Sequence, residues 1–186
     1  MSLQVICKNI KRLDVKIFEF NTLTYYKKNM KDFDSDVDLG GLMASNQQEY
    51  EWDYKNNLKH IEKFDFPQLK GKVGLFIIEF VGNGVSARAV INKGKLNLAQ
   101  RETIAGHLCY ILDHNNKICK SDKKTGIIFE NKFYEADKSN GRIFVPYGEK
   151  KTEGKCILVN DDFAFLTDFT RNIEKYDFYA NIFMND

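Results

Sequence analysis

The sequence predicts an all-β protein made of two tandem small β-sandwiches, and three observations carry that prediction. Fifteen Phe and nine Tyr stand against two Pro and four Met in 186 residues, a bias toward side chains that fit a pleated, half-buried surface. Short β-prone runs alternate with turn residues roughly every eight to twelve positions, as sandwiches require. No stretch holds a helical period for longer than about two turns.

The clearest element is the hairpin within Gly71–Gly94, GKVGLFIIEFVGNGVSARAVINKG. Val73–Val81 and Val85–Asn92 are apolar runs flanking Gly82-Asn83-Gly84, and an Asn-Gly pair supplies the two positive-φ residues of a type I′ turn. With Asn83-Gly84 as the loop, Phe80 faces Ala87, Ile78 faces Ala89 and Phe76 faces Ile91. On the other face Glu79 meets Arg88. A slip of one residue would lose both the large-small and the charge matches.

Taken from the start, Val5–Cys7 reads as a short strand. Leu13–Phe20 alternates, with Leu13, Val15, Ile17 and Glu19 on one face and Phe18 and Phe20 on the other. Asn21-Thr22 caps a short helix, Leu23–Lys28. Residues 29–57 are polar and form a long excursion, within which Glu49–Tyr54 reads as an edge strand. Leu58–Phe66 is a strand that Pro67 ends, since proline cannot donate to a ladder. The first sandwich is expected to hold the hairpin against Leu13–Phe20 and Leu58–Phe66, with 29–57 as its variable surface.

A boundary falls at Lys93–Asn97, giving domains 1–94 and 95–186. The second begins with Glu102–Leu112, where His107, Cys109 and Ile111 share one face and Leu108, Tyr110 and Leu112 the other. Asp113–Lys117 is a turn ahead of Ile118–Lys120. Gly126–Phe129 and Lys132–Ala136 are strands, Asp137–Gly141 is a turn, and Arg142–Tyr147 is a strand. Gly148–Lys155 is a charged loop, and Cys156–Asn160, Phe163–Thr167 and Tyr176–Phe183 complete the set.

The charge balance narrows the function. The chain carries 28 basic and 26 acidic residues; 14 and 12 of these lie in 1–94, leaving 14 and 14 in 95–186. No basic stripe marks a nucleic-acid binder. No apolar run reaches the roughly 18 residues that span a bilayer, and MSLQVICKNIKRLDV lacks a signal-peptide core. The compartment is therefore cytoplasmic for a complete chain, or open if this is an internal piece of a longer one. Met-Ser-Leu has the look of an expression scar. Cys7, Cys109, Cys119 and Cys156 are irregularly spaced with no CxxC, and read first as free core thiols; a disulfide from Cys119 is the alternative.

Several groups have ligand chemistry. Asp32, Asp34, Asp36 and Asp38 alternate in DFDSDVDLGG, and calcium needs several oxygen ligands converging on one point. An EF-hand register fails: from Asp32 its sixth and twelfth positions hold Val37 and Met43, and from Asp34 they hold Leu39 and Ser45. A calcium site of another kind and a solvated acidic loop both remain readings of this stretch. Tyr50, Trp52 and Tyr54 at alternate positions offer an aromatic face to a sugar or peptide, or simply cover a flank. His107, Cys109, His114 and Cys119 cluster without a zinc spacing. No GxSxG is present and no helix follows the glycines at 82–84 to bind phosphate, while a hydrolase using a carboxylate pair among the many acids stands as a third reading.

The order LDVKIFEFN, TLTYYKKN, DSDVDLGGL, HIEKFDFP and then the hairpin resembles macroglobulin-type β-sandwich domains of alpha-2-macroglobulin-like and related very large multidomain proteins. GHLCYILDHNNKIC and DKSNGRIFVPY are similar to the opening hairpin and the turn and strand of carboxypeptidase-regulatory-like sandwiches, with one residue of difference between the acid and the glycine. Such modules build a frame, so the resemblance implies no catalytic residue. The Cys-Gly-Glu-Gln run of thioester-containing members is absent.

These observations lead to a non-catalytic structural or protein-interaction module of a larger protein. Its partner is another protein or a neighbouring domain of the same chain, met through Met43–Tyr54 or Gly148–Lys155, since loops on a rigid sandwich carry binding. The rival is a ligand- or carbohydrate-binding domain using Tyr50, Trp52 and Tyr54, with calcium at Asp32–Asp38 as its one candidate cofactor.

Overall fold

The hairpin forms with the register its sequence specifies. In the computed structural model, which describes residues 1–53, 58–120 and 123–174, Asn83 and Gly84 take φ of 50° and 74°. They join β5 (Gly74–Gly82) to β6 (Val85–Lys93). Phe80 pairs with Ala87, Ile78 with Ala89, Phe76 with Ile91 and Glu79 with Arg88. The architecture is all-β, with multiple antiparallel sheets and, among the described residues, one short α-helix and a 3-10 turn. The chain divides into two compact units: Met1–Lys95 with Asp162–Phe165, and Leu96–Asp161 with the chain from Leu166 onward.

In the first unit, β1 (Ser2–Lys8) pairs antiparallel with β4 (Lys59–Asp65) as a two-stranded sheet. A second sheet has the order β3-β2-β5-β6, with β2 spanning Arg12–Phe20 and β3 spanning Asn46–Glu51. Between β2 and β3 lies α1, Thr22–Asn29, capped by Asn21, whose side chain accepts from the Thr24 amide at 2.8 Å. Leu13–Phe20 lies against the hairpin as expected, by its edge rather than its face. It lies beside β5 as a hydrogen-bonded neighbour, with Val15 opposite Phe80 and Ile17 opposite Ile78. The reason is that its inward residues continue the apolar surface of β5 rather than facing it. The strand that does face this sheet across the core is β4. Cys7, Leu13, Val15, Ile17, Phe64, Phe76, Ile78 and Phe80 are buried in one cluster drawn from both sheets.

Strand β5 is buried on its other face as well. Phe18 and Ile77 meet Leu39 there, with Phe20, Phe33, Val37 and Ala44 packed around them. Part of the excursion is thus a cover laid over the back of the sheet, not a variable surface. The edge strand within it runs from Asn46 to Glu51, earlier than Glu49–Tyr54, and Tyr54 lies outside the described residues.

The second unit has a four-stranded sheet of order β10-β9-β12-β13 and a three-stranded sheet of order β11-β8-β7. Their ranges are β7 Asn97–Glu102, β8 Gly106–Leu112, β9 Thr125–Phe129, β10 Lys132–Glu135, β11 Ile143–Pro146, β12 Thr152–Asn160 and β13 Phe163–Arg171. Strand β7 was not expected, and β12 starts inside the stretch read as the charged loop Gly148–Lys155. Ile118 makes only an isolated bridge to Leu112. The expected strand Tyr176–Phe183 lies outside the described residues.

Candidate functional site

The acidic run is built by the alternation that makes it conspicuous. Phe33, Val37 and Leu39 turn down onto the sheet, so the aspartates between them are left on the solvent side. There they serve the loop itself. Asp34 accepts from the Asp36 amide at 3.1 Å and pairs with Lys31 at 3.4 Å. Asp38 accepts from the Gly40 amide at 2.8 Å, and Asp36 from the Ser35 hydroxyl at 3.5 Å. Short Asx bonds of this kind hold turns together.

The backbone oxygens of the run are engaged too. Arg88 reaches across from β6 and donates to the carbonyls of Ser35 at 3.2 Å and Val37 at 3.1 Å, while its Nε meets Glu79 at 3.0 Å. The Asp32 carbonyl accepts from the Tyr25 hydroxyl at 3.1 Å. Tyr25 is buried, and that burial raises its pKa with a smaller push from Asp34. The four aspartates do not converge. Among the described residues no group of three or more His, Cys, Asp or Glu side chains is placed to hold a metal ion.

The aromatics are brought together in part. Tyr50 and Trp52 stack with centroids 6.0 Å apart and rings 11° from parallel. Both pack against the core cluster, and Tyr50 also meets Phe64 edge-on at 4.9 Å. Lys11, Arg12, Glu51, Trp52 and Asp53 line an open groove of about 440 Å3 beside them. The rings thus pack against the core at the flank of the sandwich, with Trp52 also lining the groove.

All four cysteines are free and buried. Burial in the second unit pushes Cys109 and Cys156 each up to about 12, so neither supplies a thiolate at neutral pH. Cys7 and Cys119 are raised in the same direction by the same cause. Of the residues with zinc-ligand chemistry, His107 is fully buried. Its Nε2 accepts the Asn172 amide at 2.9 Å, and its Nδ1 lies 3.0 Å from the Gln100 side-chain nitrogen. Tyr147 and Phe169 meet the ring edge-on at 5.1 and 5.8 Å. Burial lowers its pKa, with Glu102 opposing and Arg171 assisting. His114 sits instead in the exposed turn beside Asn115. His107 is a core histidine, and the apolar alternation of β8 is the signal that places it inward.

Of the two stretches read as partner surfaces, Met43 is almost fully exposed, and Asn46–Glu51 is the outer strand of its sheet. In the other, Lys151 and Glu153 form an exposed pair at 2.5 Å. Among the described residues no helix is long and apolar enough to cross a membrane.

Comparison with known proteins adds the following. A segment of native alpha-2-macroglobulin from Escherichia coli spanning domains NIE to MG1 is similar in structure, with a TM-score of 0.44 and 10% identity over 89% of this chain and 86% of that one. A longer segment beginning at domain MG0 gives 0.42 and 12% over 90% and 58%. The Actin-binding protein F of Dictyostelium discoideum is 36% identical over 185 residues, covering 96% of this chain; the chain spans 8% of that protein's length. Residues 13–94, the stretch from β2 through the hairpin, match the family model described as the AbpF first immunoglobulin-like domain.

Proposed function

We propose that the chain is a non-catalytic protein-interaction module of a large multidomain protein, and that actin filaments are a partner it engages directly or helps to present. The observation that carries this reading is the 36% identity maintained along 96% of the chain to a protein named for binding actin. The buried thiols support it from the chemical side, since their raised pKa leaves them inert as nucleophiles. The test is sedimentation of the 186-residue chain with actin filaments. A saturable fraction should pellet with filaments, and none without them. A chain that stays in the supernatant at every filament concentration contradicts the actin reading.

A second reading rests on the Tyr50–Trp52 stack beside its charged groove. A ring face next to polar groups is a platform for a sugar or another flat ligand. It predicts that a binding sugar raises the melting temperature and that Trp52→Ala removes the effect. The calcium variant of this reading predicts a shift with millimolar calcium that Asp34→Asn/Asp36→Asn abolishes.

A further inference from the structure

Among the described residues, the outward face of the two-stranded sheet is left exposed. Side chains alternate across it, so Ser2, Gln4, Ile6 and Lys8 of β1 point away from the core with Lys59, Ile61, Lys63 and Asp65 of β4. The register sets Ile6 directly opposite Ile61 and Lys8 directly opposite Lys59, with Gln4 opposite Lys63. Ile6 is 69% exposed and Ile61 65%.

Two features of this face work against the free protein. A cross-strand isoleucine pair left in water forgoes the burial that makes such pairs favourable. Like charges directly opposite each other are destabilising, and among the described residues no carboxylate is bonded to Lys8, Lys59 or Lys63. An apolar centre with a charged rim has the anatomy of a docking patch.

We infer that this face docks an acidic protein surface that carries exposed aliphatic side chains. The three lysines select negative charge and steer its approach, and the isoleucine pair supplies the desolvated centre. A second copy of this chain is a poor occupant, because two such faces would bring six lysines together. Nucleic acid would want stacking rings or arginine forks, and this face has neither. A bilayer would need apolar groups reaching below the level of the charges, whereas Ile6 and Ile61 stand on the same pleat as the lysines. The assignment rests on the interaction-module reading but not on actin being the partner.

The probe is an acidic decapeptide with leucine at every third position, titrated into the isotopically labelled 186-residue chain and followed by amide chemical shifts. Shifts should concentrate on Ser2–Lys8 and Lys59–Asp65. Binding should weaken at least about tenfold in Ile6→Thr/Ile61→Thr and in Lys8→Glu/Lys59→Glu, both of which should retain the wild-type spectrum elsewhere. No shift on these strands, shifts spread over lysines of both units, or binding unchanged in both variants overturns the assignment. Loss of binding to phosphatidylserine vesicles or to a DNA duplex in the same variants, with no peptide response, also overturns it. Actin sedimentation separates this from the broader reading. Filaments that bind wild type and both variants alike keep actin and place its contact elsewhere, so that the peptide titration alone decides this face, whereas peptide mapping here without filament binding keeps the face and removes actin.

Discussion

The back of the four-stranded sheet and the outer face of the two-stranded sheet are built from the same material and end differently. On the back, Phe18 and Ile77 are covered by the chain's own excursion, which lays Phe33, Val37 and Leu39 over them. Arg88 then fastens that cover through two carbonyls. On the outer face, Ile6 and Ile61 also stand at alternate positions of paired strands, yet among the described residues they are left 69% and 65% exposed. Alternation of apolar and charged residues therefore marks a surface that wants a cover. Only the tertiary structure tells whether the chain itself provides one.

The sharpest way to break this comparison is to truncate one isoleucine on each face. Ile77→Ala removes a fully buried side chain and should cost about 2–5 kcal/mol in urea unfolding. Ile61→Ala should change stability by no more than about 0.5 kcal/mol. Equal costs would mean that the outer face is packed in solution.

The clamp is the next test. Arg88→Ala leaves the Ser35 and Val37 carbonyls and the Glu79 carboxylate without their donor, and Glu79 is only 13% exposed. The expected loss is about 1–3 kcal/mol, with faster hydrogen exchange across residues 33–44 than across β2 or β5. Unchanged exchange would show that the apolar side chains hold the cover alone.

A covered polar group extends the contrast to the second unit. His107 has its pKa lowered in the fold, chiefly by burial. Below about 6.5, its ordinary value, the unfolded chain takes up a proton that the folded chain resists. Its contribution is therefore constant above that pH and is lost as pH falls toward the lowered folded value. Protonation of Nε2 would also break the bond from the Asn172 amide. Urea midpoints measured from pH 7.5 down to 5 should fall more steeply for the wild type than for His107→Gln. Parallel profiles would place the titration elsewhere.

The smallest expected effect has the opposite sign. Lys8→Glu replaces a like-charged pair by an attractive one and should raise stability by about 0.2–1 kcal/mol, most clearly at low salt. A loss would mean that Lys8 already has a favourable neighbour.

The hairpin was legible because every cue in it agreed: turn residues, alternation, size and charge pairing. The excursion was harder, because in DFDSDVDLGG the aspartates draw the eye and the structural signal is carried by Phe33, Val37 and Leu39. Strand β7 escaped because Asn97–Glu102, NLAQRE, offers only one strongly apolar residue. Strand β12 begins at Thr152 because its first residues are exposed and polar and its last ones buried, which reads in sequence as a loop followed by a shorter strand. The turn between β9 and β10 uses Glu130 and Asn131 at φ of 47° and 61°, and a glutamate gives no warning of positive φ. The docking face went unread because exposed isoleucines are visible only once register and burial are known.

The most direct test of the central claim is hydroxyl-radical footprinting of the 186-residue chain with and without the acidic decapeptide at saturation. Met43, Val85 and Ile104, all highly exposed, serve as internal references on other surfaces. The account predicts that oxidation of Ile6 and Ile61 falls several-fold on peptide binding while the three references keep their rates. Unchanged Ile6 and Ile61 with protection of Met43 would contradict it, and would move the interface to the edge strand Asn46–Glu51.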